Sequence, residues 1–245
     1  EKRNYFGWET ARKEFGNNAE EAFKWWREKI ESLGIFCFEL KLEPKEVRGA
    51  SLWLKSYPFI LVNHQDTESS AGRIFTLLHE YVHLISAEEG VLCDFRGIKK
   101  GQNPEPFANK FAARMLLTYE ELRSHLQSFS LLKYQDQWSD KAIDEIRKPF
   151  FASRDVIAIM LQEMKLAPEN LYDKKLMEWE GRKIWGRGKR RSSKEQKLRE
   201  LGRSFTNLLA KRFNDPSFPV LDASYILNMK VEKANEFIKW VHGKV

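Results

Sequence analysis

Apolar residues return at helical spacing between positions 18 and 33, where Phe23, Trp26, Ile30 and Leu33 share one face and Gly34 ends the run. The adjacent Trp25 and Trp26 read as part of that core stripe rather than as a ligand platform. The period then changes. Residues 35–40, 47–54 and 59–63 are short, rich in β-branched and aromatic side chains, and separated by Pro44 and Pro58, which predicts three strands. Residues 66–70 lead into a long helix whose segment 74–85 is almost wholly apolar. A second helix opens with Asn103 as cap, Pro104 in first position and Glu105 in the first turn, with Phe107, Phe111, Ala112, Met115 and Leu116 facing inward. Thr118 and Glu121 form a capping box that starts a third. Beyond about residue 128 the chain reads as helical throughout. Ser153 caps a helix running through Val156, Ile159, Met160 and Met164; residues 193–213 form a basic amphipathic helix; and residues 221–227 and 231–241 pair as two helices around a tight turn at Asn228 to Lys230. These elements predict an α+β fold, with one unit over 1–128 and a helical extension over 129–245.

Inside the apolar helix lies the sequence His79-Glu80-Tyr81-Val82-His83. Positions four apart on a helix lie one above the other, so two of the chain's five histidines present imidazoles to one point in space. Zinc needs that geometry from two of its ligands. Three ionisable groups in so apolar a run are costly to bury without a metal. Glu80, on the same turn, is placed to reach a water rather than the ion, which predicts water attack on a peptide carbonyl with Glu80 as general base. A small sheet feeding an H-E-x-x-H helix resembles the zincin-type peptidases, where an edge strand pairs with the substrate backbone.

Charge sharpens the picture. The net charge of +7 is uneven: over residues 181–212 twelve lysines and arginines stand against Glu195 and Glu200, a local balance of +10, leaving 30 basic and 33 acidic residues elsewhere. That segment, with the paired helices after it, is a candidate DNA contact. Cys37 and Cys93 form no C-x-x-C pair and fit a reducing cytoplasm, each as a small buried hydrophobe. No stretch is apolar enough to span a bilayer and no export signal opens the chain, so the expected location is cytoplasmic.

A catalytic zinc takes three protein ligands and keeps one position for water. Candidates after His83 are Glu88, Glu89, Cys93, Asp94 and Glu105. The two glutamates follow the helix without the glycine turn that would fold them back, and Cys93 and Asp94 fit no ligand spacing. Glu105 is preferred on a resemblance to the Glu-zincins, in which the helix bearing the third-ligand glutamate often carries a second polar residue four positions on, here Asn109, that can orient a ligand histidine.

The stretch from Arg73 to Ile85, followed by that from Glu105 to Leu117, resembles the ImmA/IrrE family of bacterial and phage zinc peptidases; Gly49 to Trp53 and Pro58 to Asn63 resemble the strands before its motif helix. Two positions depart from the family's habit, Tyr81 after the motif glutamate and Thr118 after the second helix. The resemblance implies zinc held by His79, His83 and Glu105, Glu80 as base, and Asn109 at the family's asparagine. It also implies a helix-turn-helix repressor as substrate, cleaved to switch on a phage, mobile-element, stress or defence operon. Some members carry a helix-turn-helix module, which here would precede Glu1. An oxyanion stabiliser is expected, with Tyr57, His64 and Tyr81 as open candidates. The competing reading is a non-proteolytic DNA-binding or sensory regulator whose zinc is structural and closed by a fourth ligand such as Cys93.

Overall fold

The computed structural model describes residues 6–41, 47–64, 69–88, 104–179, 192–213, 215 and 218–243. Helix α1 (Ala19–Glu31) starts where the Asn18 side chain accepts hydrogen bonds from the N–H groups of Glu20 and Glu21. Phe23, Trp26 and Ile30 are buried along it. Leu33 is not part of that stripe: the helix stops at Glu31, and the turn into Gly34 (φ 84°) leaves Leu33 exposed. Trp26 meets Trp25 edge to face at 5.0 Å and Trp8 at 5.1 Å. The Trp8 indole N–H donates to the Leu116 carbonyl at 2.9 Å, so the aromatic cluster closes the core at its N-terminal end.

Strands β1 (Phe36–Leu40), β2 (Gly49–Leu54) and β3 (Tyr57–Asn63) form one sheet in the order β1-β3-β2, with β1 and β3 parallel and β2 antiparallel to β3. Pro58 does not separate strands. It lies within β3 opposite Trp53, just past the turn at Lys55 and Ser56, and pairing with β1 begins only at Phe59. Its missing N–H therefore removes no bond to β1. The outer edge of β2 has no strand partner among the described residues.

Helix α2 (Ser70–Glu88) is opened by Ser69, whose hydroxyl accepts from the Gly72 N–H. It lies on the sheet and packs against α1 and the following helix. Helices α3 (Glu105–Leu116), α4 (Tyr119–Ser128), α5 (Asp140–Arg147), α6 (Arg154–Glu163) and α7 (Leu171–Trp179) continue the same apolar core, which runs from Phe6 to Leu171, so packing does not divide at residue 128. Thr118 and Glu121 form the expected capping box, and Ser153 caps α6. A second core joins α8 (Ser193–Leu201), α9 (Arg203–Phe213), α10 (Val220–Leu227) and α11 (Val231–His242). Among the described residues no helix is long and apolar enough to cross a membrane.

The single basic helix expected over 193–213 is two helices, broken at Gly202 (φ 78°). A Cβ there would lie 2.1 Å from Glu31 Oε1 and 2.8 Å from the Cys37 carbonyl, so the break is where the C-terminal helices press on α1 and β1. Buried ion pairs fill that junction. Arg27 meets Glu31 and Glu39 at 3.2 Å, Arg199 meets Glu39 at 2.9 Å, and Arg73 at the start of α2 meets Glu39 at 3.4 Å and Glu20 at 2.7 Å. Arg27 also donates to the Cys37 and Arg199 carbonyls. Removing one partner of such a cluster strands buried charge. Glu39→Ala is expected to lower stability to chemical denaturation by about 3–5 kcal/mol; a loss under about 1 kcal/mol would show the cluster to be effectively solvated.

Candidate metal centre

The site is built on the face of α2 that neither the sheet nor α1 covers. His79 and His83 are half-buried there, with their Nε2 atoms 2.9 Å apart and their rings edge to face at 4.6 Å. Helix α3 returns across α2 and presents Glu105 from its first turn, Oε2 lying 3.1 Å from His79 Nε2 and Oε1 3.3 Å from His83 Nε2. The side of α3 that packs inward consists largely of small residues, Ala108, Ala112 and Ala113, with Met115 and Leu116 behind them. Phe107 and Phe111, expected to face inward, are only half-buried and pair with each other at 5.9 Å. Alanines in their place on the inner face permit close approach of two helices. Asn103 lies outside the described residues, and α3 begins directly after Pro104.

The donor set fits a metal ion. One ligand atom from each of the three residues can be chosen so that all lie within 4.8 Å of one another. A tetrahedral ion with ligand bonds of about 2.0–2.1 Å would set its donors about 3.3 Å apart, and the observed 2.9, 3.1 and 3.3 Å lie close to that spacing. Two imidazole nitrogens pointing at each other and at a carboxylate are balanced by a shared cation or proton. Burial holds the His79 pKa below its usual value, and His83 lowers it further, against the opposing pull of Glu105. His79 is thereby kept in the neutral form a metal requires. The Asn109 amide lies near enough to His79 to influence its ring, yet His79 Nδ1 is buried and has no hydrogen-bond partner among the described residues.

Glu80 points from the same turn toward the sheet. Burial pushes its carboxyl up to about 7, against the effect of a Ser51 hydrogen bond and with a smaller contribution from Glu105. A cation at the histidine pair acts in the opposite direction. Gly49 makes this contact between β2 and α2 possible: a Cβ at that position would lie 2.6 Å from Thr76 Cγ2 and 3.0 Å from Glu80 Cγ.

These residues open onto a cleft of 1210 Å³, walled by β2 on one side and by Ile159, Glu163 and Tyr172 of α6 and α7 on the other. His79, Glu80, His83, Glu105 and Asn109 all line it. None of the three oxyanion candidates does. Tyr57 is 58 % exposed at the hairpin tip, and His64 follows the end of β3. Tyr81 is buried against Phe6, because two residues beyond His79 is about 200° around the helix and faces the core. Tyr172 carried no motif, and only the folding of α7 onto α6 brings it in. Cys37 is buried in β1 with its thiol pushed up by burial, which suits a core residue. Glu89, Cys93 and Asp94 lie outside the described residues.

A family model described as Peptidase M78, IrrE N-terminal-like domain, matches residues 30–162. The chain belongs to this family. The matched span holds every residue of the histidine and glutamate cluster, whereas the cleft wall formed by Glu169, Tyr172 and Asp173 lies beyond it. M78 is a family of metallopeptidases, and a possible metal site of His79, His83 and Glu105 is what such a protein requires. Searches of curated proteins and of solved structures returned no match.

Two outcomes follow from this geometry. Zinc at about one hundred times its dissociation constant is expected to stabilise the protein by about 2.7 kcal/mol in a thermal melt, an effect that His79→Ala removes; an equal shift in that variant would place the ion elsewhere. Gly49→Ala should cost about 1–3 kcal/mol through overpacking between β2 and α2, and an unchanged melting temperature would contradict the close contact.

Proposed function

We propose that the chain is a zinc-dependent endopeptidase of zincin-like core that cleaves a helix-turn-helix transcriptional repressor in the cytoplasm. The observation that carries this reading is the placement of Glu80, a buried carboxylate with a raised pKa, beside the His79, His83 and Glu105 cluster in one open cleft. Bound to that cluster, zinc would supply a Lewis acid that acidifies water and polarises a peptide carbonyl. His79 and His83 would hold it as neutral imidazoles and Glu105 as a carboxylate. Glu80 would accept the proton of the attacking water and return it to the leaving amine, a task best served by a pKa near neutrality.

Strand β2, whose outer edge has no strand partner among the described residues, forms one side of the cleft, which suits an extended peptide held by backbone hydrogen bonds. Leu52 and Trp53 stand exposed on the same strand, where they would meet apolar side chains of the substrate. A repressor as substrate rests on the likeness of residues 73–85 and 105–117 to ImmA/IrrE proteins. In the described part of the basic segment most cations have an acidic partner, which favours a solvated face over a DNA contact. Arg199 pairs with Glu39, Lys197 with Glu200, Arg203 with Glu28 and Arg212 with Asp215, while residues 182–191 lie outside the described residues.

The test uses the repressor encoded beside this protein's gene. Glu80→Gln should keep zinc and lose cleavage by about 10²–10⁴-fold. Cleavage at the parent rate in that variant would remove Glu80 from the chemistry, and no cleavage of any neighbouring repressor by the parent would remove the substrate assignment.

A further inference from the structure

An attacked peptide carbonyl gains negative charge on its oxygen, and a hydrogen-bond donor fixed opposite that atom lowers the barrier. The cleft contains several donors, but most are committed. Arg48 is held by Asp155 at 3.0 Å, Lys110 by Glu163 at 2.8 Å, and the Gln162 amide donates to the Glu169 carbonyl while its oxygen accepts from the Tyr172 N–H. The Tyr172 hydroxyl forms no hydrogen bond among the described residues. Tyr172 lines the cleft, with its hydroxyl within electrostatic reach of Glu105, the glutamate that meets both imidazoles.

Three features suit this phenol to act as a donor. Its backbone is clamped: Gln162 at the end of α6 grips both the Glu169 carbonyl and the Tyr172 N–H, so the first turn of α7 is fixed relative to the wall that faces α3. Burial raises its pKa, the Asp155 carboxylate adds to the rise and the Arg48 guanidinium opposes it, so the hydroxyl keeps its proton under all ordinary conditions. It is also uncharged, so its half-buried position costs less than that of an ammonium or guanidinium. The tyrosine lies ten residues beyond the end of the family match, in a wall that the matched motif does not specify.

We infer that Tyr172 donates a hydrogen bond to the carbonyl oxygen of the scissile peptide as that oxygen gains charge, and so is a catalytic residue of the cleft. This rests on the peptidase reading above. No bond forms to Tyr172 and its proton stays on the phenol; the donor acts through hydrogen bonding alone. Tyr57, His64 and Tyr81 are excluded from this role by their positions outside the cleft.

The test needs no substrate. The protein is loaded with cobalt(II), whose visible spectrum reports on its ligands, and acetohydroxamate is titrated in as an oxygen-donor mimic of the charged carbonyl. Tyr172→Phe is expected to leave the ligand-free spectrum and cobalt affinity unchanged and to weaken acetohydroxamate about ten- to a hundredfold, the range for a hydrogen bond to a charged group. Tyr172→His, which restores a ring donor, should recover part of the loss. Equal acetohydroxamate affinity in parent and Tyr172→Phe would overturn the inference and leave the peptidase reading intact. An altered ligand-free spectrum with equal losses in both variants would assign Tyr172 to packing and overturn it as well. A parent that gives no cobalt spectrum, or no response to acetohydroxamate, would overturn both this inference and the peptidase reading.

Discussion

The structure depends on how one helix distributes its faces. Most of α2 is covered by the sheet and by α1, with Ile74, Leu77, Leu78 and Leu84 buried. Three ionisable groups nevertheless stand on it within five residues. Charge cannot be left unmatched in such surroundings, and the answer is to turn His79 and His83 toward a cleft and bring Glu105 to them from a second helix. Every other feature of the site serves that convergence. The alanines of α3 set its distance from α2, Gly49 lets β2 approach close to Glu80, and α7 closes the far wall.

The same helix is anchored at its other end by a buried ion cluster. Arg73 joins α2 to Glu39 of β1 and to Glu20 of α1, and Glu39 in turn holds Arg199 of α8. Gly202 allows this junction, since any side chain there would collide with Glu31 and Arg27. The C-terminal helices, which have their own apolar core, are therefore attached to the part of the chain that holds the histidine pair through groups that also orient the motif helix. Polar clusters of this kind favour one docking geometry when fully satisfied and are costly when broken.

Local chemistry made much of this legible in the sequence. The capping box at Thr118, the cap at Ser153, the turn at Asn228 and the four-residue spacing of His79 and His83 act over short stretches, and each element formed as its residues dictate. Most of the readings that failed concerned contacts distant in the chain. Pro58 reads as a strand boundary until the register shows that it lies within β3 and that pairing with β1 begins one residue later. Residues 193–213 have the periodicity of one helix, and only the proximity of Glu31 and Cys37 explains the break at Gly202. Tyr57, His64 and Tyr81 are near the motif in sequence and absent from the cleft, whereas Tyr172 is remote in sequence and present in it. Neighbourhood in a cleft is a tertiary property, and helical phase alone suffices to exclude Tyr81.

The central claim is that two imidazoles and one carboxylate, with no thiolate, hold a catalytic metal. X-ray absorption at the zinc edge on the loaded protein tests it most directly. A coordination sphere of nitrogen and oxygen alone at about 2.0–2.2 Å is expected, with the multiple-scattering signature of two imidazoles. A sulfur neighbour at about 2.3 Å would contradict it, because it would mark a site closed by a cysteine and built for structure rather than for catalysis.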